Sequence, residues 1–194
     1  MSLIYRPASY VDRLPLAEMF PQPQPLEVEL GAGDGSFLIA WAKANPRHNF
    51  LGVERLLGRI RKIERKASRA GLPNVRLMRI EASYFLEYLL PLNSVTALHI
   101  YFPDPWPKRK HWKHRLINDA FPALCARVLV PGGRVFVRTD DGDYFEQITS
   151  VFAGHSGFAA ATPPPALAEI LTDFEKEFHQ RGVRTLGASY KLTT

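Results

Sequence analysis

Asp104 is a lone carboxylate in a loop otherwise made of prolines, aromatic rings and cations: Tyr101 to Arg115 reads YFPDPWPKRKHWKHR. A carboxylate can accept hydrogen bonds from the N–H edge of a nucleobase, an indole such as Trp106 can stack on a base face, and a run of cations can grip phosphates. The cations are Lys108, Arg109, Lys110, Lys113 and Arg115. Pro103, Pro105 and Pro107 forbid a helix and predict a stiff extended loop. The apolar run Val95 to Ile100 just before it predicts a buried strand. The C-terminal ends of strands are where open α/β sheets hold their ligands.

A second set surrounds Gly31-Ala32-Gly33-Asp34-Gly35. Glycines between a strand and a helix let the backbone approach a ligand closely. A dinucleotide turn would read G-x-G-x-x-G, but here the third glycine is Gly35 and position 36 is Ser. Glu29 and Asp34 flank the turn and would repel a pyrophosphate. They favour a cofactor bearing an ammonium and a sulfonium, and S-adenosylmethionine has both. Glu54 is placed to accept from two ribose hydroxyls, although dinucleotide sites use an acid in the same place. Glu81 can accept from an adenine amino group.

The elements that must position these residues alternate along the chain. Met1 to Pro25, with no sustained period, reads as an irregular arm that orders on a partner, and 26–194 as a single domain. Leu26, Val28 and Leu30 alternate with Glu27 and Glu29 as a first strand, followed by a helix from Ser36 to Ala44 that Asn45-Pro46 stops. Asn49 to Val53 is the second strand, ending at Glu54. Arg55 to Ala70 is a helix with Leu56, Leu57, Ile60, Ile63 and Ala67 on one face and Gly71 as its stop. A third strand, Val75 to Ile80, ends at Glu81 and precedes a helix through Tyr84 to Leu90. After the loop, Leu116 to Val130 has helical spacing, and Pro131-Gly132-Gly133 turns the chain into a fifth strand, Val135 to Thr139, with Asp140 and Asp141 just past it. A helix over Tyr144 to Phe152, a short strand in Gly157 to Ala161, a Pro163-Pro164-Pro165 linker, a partly helical Leu167 to Arg181 and a last strand in Val183 to Leu192 complete the reading. The pattern predicts a doubly wound, mostly parallel seven-stranded α/β sheet in one domain.

Composition narrows the partner. The 194 residues carry 25 Lys and Arg against 19 Asp and Glu, a net charge of +6 that favours a polyanion. Twelve of those cations fall in the loop and in the stretch Arg55 to Arg69. Cys125 is the only cysteine, so no internal disulfide and no cysteine-based zinc cluster can form, and the scattered histidines have no metal-ligand spacing. No metal is expected. No long apolar run or secretory leader is visible, which points to a cytoplasmic protein with no membrane partner.

Glu29-x-Gly31-x-Gly33-x-Gly35, Gly52-x-Glu54, Phe102-Pro103-Asp104-Pro105-Trp106-Pro107-Lys108, Thr139-Asp140 and Thr172-x-Phe174-Glu175 occur in that order. Together they resemble the bacterial tRNA (guanine-N7-)-methyltransferases, over about Leu26 to Gly182. The resemblance implies a Rossmann-like class I methyltransferase that uses S-adenosylmethionine to methylate the variable-loop guanine at conventional tRNA position 46. It implies cofactor contacts at Glu29, the turn of Gly31, Gly33 and Gly35, Glu54, Glu81 and Asp104, a catalytic role for Asp104, and substrate contacts at Lys108, Asp140, Thr172, Asp173, Phe174 and Glu175. Where relatives usually have Asp or Asn before Ala, this chain has Glu81, and its amino-terminal arm is short beside many of them.

The chemistry agrees with such a site. Guanine N7 presents an in-plane lone pair and no proton, so attack there needs alignment and charge stabilisation rather than a general base. Two rivals of other kinds stay open. Asp-Pro-Trp-Pro resembles the Asp-Pro-Pro-aromatic loop of adenine-N6 methyltransferases, and a non-catalytic RNA-binding subunit could keep the fold without turnover. A nicotinamide oxidoreductase fits the acids least. Thr172 and Glu175 also have the spacing of a helix capping box. No second subunit is called for by anything in the sequence.

Overall fold

In a computed structural model, which describes residues 2–193, seven strands form one sheet in the order β3-β2-β1-β4-β5-β7-β6. The strands are β1 (Leu26–Leu30), β2 (Asn49–Glu54), β3 (Val75–Arg79), β4 (Val95–Tyr101), β5 (Leu129–Thr139), β6 (Phe158–Ala160) and β7 (Leu186–Leu192). The first five run parallel, and β7 lies antiparallel between β5 and β6. The order turns back between β1 and β4, whose ends are aligned by the pairing of Leu30 with Ile100. The glycine turn and the Asp104 loop therefore leave the sheet side by side at the switch point, where such folds bind ligands. The architecture is the mostly parallel α/β sheet that the alternation predicts.

Each face of the sheet is covered separately. The helices are α1 (Leu16–Met19), α2 (Ser36–Ala44), α3 (Leu57–Arg69), α4 (Ala82–Tyr84), α5 (Phe121–Val128), α6 (Gly142–Ala153), α7 (Pro165–Glu169) and α8 (Asp173–Gln180). Phe37, Leu38 and Trp41 of α2, Ile60, Ile63 and Ala67 of α3, and Leu167 of α7 pack on one face. Phe121, Cys125 and Val128 of α5, Tyr144, Ile148 and Phe152 of α6, and the amino-terminal Leu14, Met19 and Phe20 pack on the other. Both faces of the central strands are buried, so β4 reads as a mostly apolar run, while β1 buries Glu27 and Glu29 on the face toward α2.

Several expectations are corrected. The amino-terminal arm, largely irregular, lies along the edge of β3: Ile4 pairs with Leu77, and the Tyr5 N–H donates to the Leu77 carbonyl at 2.7 Å. In α3, Leu56 and Leu57 are exposed and only Ile60, Ile63 and Ala67 are buried, because the helix starts at Leu57 and turns the first two leucines outward. After β3 the chain makes only the short α4 and then a π-helical turn, Phe85–Leu89. Backbone carbonyls of that turn and its end accept from two arginines, Arg13 to Glu87 and Leu90, and Arg127 to Leu86 and Glu87.

The helix expected over Leu116 to Val130 is confined to α5. Upstream, Asn118 Oδ1 accepts from the Ala120 N–H and the Tyr144 hydroxyl accepts from the Ile117 N–H, which holds that backbone in a non-helical path. Pro131-Gly132-Gly133 lies inside β5 rather than before it; the register jumps between Val95 and Ala97, and Gly132 takes up the excess chain with φ 76. The region 167–181 is two helices, α7 and α8, and the last strand begins at Leu186.

A buried polar knot crosses the centre of the sheet. Glu27 on β1 accepts from Trp41 Nε1 at 2.8 Å and meets His99 Nε2 at 2.7 Å and His48 Nδ1 at 2.6 Å. His99 Nδ1 lies 2.9 Å from the Tyr101 hydroxyl. Burial alone would raise the Glu27 carboxyl, but the hydrogen bond and charge of His99, with bonds to Trp41 and His48, outweigh it and hold the value at about 2 rather than 4.5. A depressed carboxylate stabilises the fold above its unfolded value and loses that contribution as pH falls through the folded one. The thermal midpoint of the wild type should therefore exceed that of Glu27→Gln at neutral pH. The gap should close between about pH 4.5 and pH 2. Calorimetric scans across that range check it, and a gap independent of pH would refute it.

Candidate active site

The glycine turn is closed by its own backbone. The Gly31 and Ala32 N–H groups donate to the Val53 carbonyl at 2.9 Å, and the Gly33 N–H donates to Glu54 Oε2 at 3.0 Å. The Ser36 N–H at the start of α2 donates to Asp34 Oδ1 at 3.1 Å. The amides that would cradle a pyrophosphate are thus engaged by carbonyls and carboxylates, a physical reason against a dinucleotide beyond the missing glycine. Gly35 is required twice over: its φ is 78, and a Cβ there would come within 2.7 Å of the Ile63 side chain.

The acids divide by what they already hold. Asp34 is drawn away from the turn to α3, where Lys66 Nζ lies at 2.5 Å; despite burial, that ammonium and Ser36 keep its carboxyl well below the usual range. Its carboxylate is paired inside the protein rather than left open at the turn, although its charge still acts on Glu29. Glu54 accepts from the Leu56 N–H at 2.8 Å as well as from Gly33, so one oxygen is fixed by each, with lone pairs left for hydroxyl donors. Glu81 accepts from the Ser83 and Tyr84 N–H groups at 2.9 and 2.8 Å, so both its oxygens cap α4. Glu29 differs from all of these: it is buried, and its Oε2 has no hydrogen-bond partner. A buried carboxylate oxygen without a donor is costly unless a ligand supplies one. The residues therefore fit a cation-bearing cofactor, with Glu29 the open acceptor.

A cavity of about 370 Å³ joins the two loops. Gly31, Glu54, Glu81, Asp104, Trp106 and His114 are among the residues that line it. Asp104 is exposed there and makes no hydrogen bond or ion pair with another described residue. Its loop is strained: Phe102 and Trp106, neither of them glycine, sit at φ 52 and φ 47. Residues held in this region cluster at functional sites. Trp106 is not a core indole; it stands at the cavity beside His114, with ring centroids 5.1 Å apart. Lys108 to Lys110 are exposed, but the run beyond the prolines is a 3₁₀ turn, Arg109–His114, rather than an extended loop.

Glu29, Gly33, Gly35, Lys108, Asp140 and the segment Thr172 to Glu175 are not among the residues that line this cavity. Asp140 is exposed past β5, while its neighbour Asp141 caps α6 through the Tyr144 N–H. Thr172 and Glu175 form the capping box of α8, and Glu175 is buried against Arg138 at 2.9 Å. Their side chains hold the segment in place, leaving Asp173 and the exposed ring of Phe174 as its outward groups. Two contacts bring that segment to the loops: the Asp173 N–H donates to Ser36 Oγ at 3.0 Å, and Phe178 meets Phe102 at 5.5 Å. Sequence reading missed Arg138 and Ser36. A cation between Val137 and Thr139, at the end of the apolar run of β5, was the available signal for Arg138; nothing in the pattern marked Ser36.

Among the described residues no helix is long and apolar enough to cross a membrane, and no group of three or more His, Cys, Asp or Glu could hold a metal.

Residues 23–191 match a family model described as "Putative methyltransferase". A tRNA (guanine-N(7)-)-methyltransferase of Geobacter metallireducens is 36% identical over 182 residues, covering 91% of this chain and 86% of its own. One of Syntrophotalea carbinolica is 34% identical over 170 residues, covering 86% and 73%. Among solved structures the fold is shared with the 16S rRNA methyltransferase KamB, at 20% identity with a TM-score of 0.66 over 92% of this chain and 93% of that one. An rRNA methylase of Streptococcus thermophilus superposes with a TM-score of 0.58 at 15% identity, over 92% of each chain.

Burial raises the Glu29 carboxyl well above 4.5, the charges of Asp34 and Glu54 push it further, and Arg138 opposes them. A cationic ligand beside it favours the ionised form, so S-adenosylmethionine should bind with release of a proton and more tightly as pH rises through that raised value. It should also raise the thermal midpoint, and NAD should do neither. Calorimetry in buffers of different ionisation enthalpy reads the proton, which Glu29→Gln should abolish. Stabilisation by NAD and not by S-adenosylmethionine would reverse the assignment.

Proposed function

The chain belongs to the tRNA (guanine-N7-)-methyltransferase family, and from that premise we propose that it transfers a methyl group from S-adenosylmethionine to N7 of a guanine in tRNA, at position 46 of the variable loop. The observation that carries the reading is Asp104: a free carboxylate on a strained loop, sharing one cavity with Glu54 and the glycine turn. The one imidazole among the described residues that line this cavity, His114, has no hydrogen-bonded side-chain partner to set it up as a general base, which suits an acceptor atom with no proton to lose.

When bound, S-adenosylmethionine supplies an electrophilic methyl on a sulfonium. Glu54 would accept from the ribose hydroxyls and Glu29 would receive the cationic end. Glu81 contributes through its carboxylate lone pairs at the adenine end while still capping α4. Asp104 accepts from the guanine N1–H and amino edge, which points N7 at the methyl carbon and stabilises the positive charge that moves onto the ring. Trp106 stacks on the base, and Asp140 and Phe174 close on it from the neighbouring strand end and from α8. Lys108, with Arg109 and Lys110, holds the flanking phosphates. On this reading tRNA is the sole macromolecular partner required and the site of action is the cytoplasm.

The test is to incubate the protein with labelled S-adenosylmethionine and unmodified tRNA, digest the RNA and identify the methylated nucleoside. The expected product is 7-methylguanosine, and Asp104→Ala should reduce its formation by about a hundredfold or more, the scale of losing one preorganised electrostatic partner. Label in N6-methyladenosine would give the loop to amine chemistry. Tight tRNA binding with no label in RNA would make the chain a non-catalytic subunit.

A further inference from the structure

Arg115 closes the run of cations in the Asp104 loop, yet it is only 2% exposed and is among the largest fully buried side chains. Its Nε donates to the Pro105 carbonyl at 2.7 Å and its Nη1 to Gln147 Oε1 at 2.7 Å. The guanidinium lies between two rings, 4.5 Å from Trp112 and 4.7 Å from Tyr144. No carboxylate of the described residues comes within ion-pair distance of it, so this cation is held by a carbonyl, an amide and two π faces. It cannot reach solvent, and therefore cannot hold a phosphate as its neighbours can.

What it holds instead is the backbone beside Asp104. The Asp104 side chain has no partner of its own, so its place is set by the chain on either side. Upstream, the Phe102 N–H donates to the Arg138 carbonyl at 2.8 Å. Downstream, the Pro105 carbonyl is fixed by Arg115, between the two residues at positive φ. Helix α6 provides the receptor: Gln147 binds the guanidinium and, through its amide, the Ile117 carbonyl at 2.8 Å, while the Tyr144 hydroxyl binds the Ile117 N–H at 2.9 Å.

We infer that Arg115 is a positioning residue for methyl transfer, locking the Asp104 loop to α6 through the Pro105 carbonyl, and that it is no part of the phosphate-holding surface. The inference rests on the role proposed above for Asp104. A loop released from its anchor misplaces a group that must sit within an ångström, so Arg115→Gln should lower kcat by about tenfold to a hundredfold. Affinity for tRNA and its salt dependence should stay as in the wild type, whereas replacing Lys108, Arg109 and Lys110 by Ala should flatten the salt slope by up to about one unit per lost phosphate contact. Arg115→Lys keeps the charge without the fork and should recover part of the rate.

The deciding measurement is a cycle with Asp104→Ala. If Arg115 acts through Asp104, adding Arg115→Gln to Asp104→Ala should cost less than about twofold more in kcat. Should Arg115→Gln fold poorly, Gln147→Ala removes the receptor instead and should show a smaller loss with the same failure to add. Full additivity, or a flattened salt slope for Arg115→Gln, overturns the inference alone. Full activity of Asp104→Ala overturns the reading of Asp104 and this inference with it.

Discussion

Parallel pairing of β1 with β4 is the constraint on which the rest depends. It places two strand ends with opposite tasks next to each other, one feeding the glycine turn and the other the Asp104 loop. The Glu27 knot reinforces that pairing across the strands, because its carboxylate on β1 is bound by His99 on β4 and Trp41 on α2. A shift of one residue would send every side chain of β1 to the opposite face. It would also carry Glu27 into the apolar layer formed by α5 and α6. A buried carboxylate with three partners therefore acts as a register pin as well as a source of stability.

The site's electrostatics follow from how its acids are committed. Asp34 is neutralised by Lys66, Glu175 by Arg138, and Glu81 is occupied by the amides of α4. Glu54 is held in place by backbone donors and has Arg59 at 3.8 Å, a loose pair with a half-exposed cation. Glu29 and Asp104 are left, one buried with an orphaned oxygen and one unpaired at the cavity. On the proposed reading, Glu29 faces the cationic end of the cofactor and Asp104 faces the base.

The sheet was legible because strand ends carried apolar runs and the helices between them carried stop signals. The candidate site was legible where residue type dictated chemistry, as at Asp104, Glu54 and the glycines. Sequence reading failed where a side chain's partner lay far along the chain. Arg115 looks like its neighbours until Gln147 and Tyr144 are folded against it. Asp34 looks like a cofactor acid until Lys66 arrives from α3. The π-helical turn was hidden because its cost is met by Arg13 and Arg127 from distant segments. The amino-terminal arm lacked periodicity since its anchors, the bridge of Ile4 to β3 and the buried Leu14, Met19 and Phe20, are irregularly spaced.

That arm has a consequence for self-association. One border of the sheet is β6, which has only three residues; the other is β3, a longer strand with a row of outward amides and carbonyls. Leu3, Ile4 and Tyr5 occupy part of that row. An uncovered strand border is a template on which another chain can add. The bridge at Ile4 thus blocks part of that border, and removing Leu3, Ile4 and Tyr5 would open β3 to polymerisation even with the cavity intact.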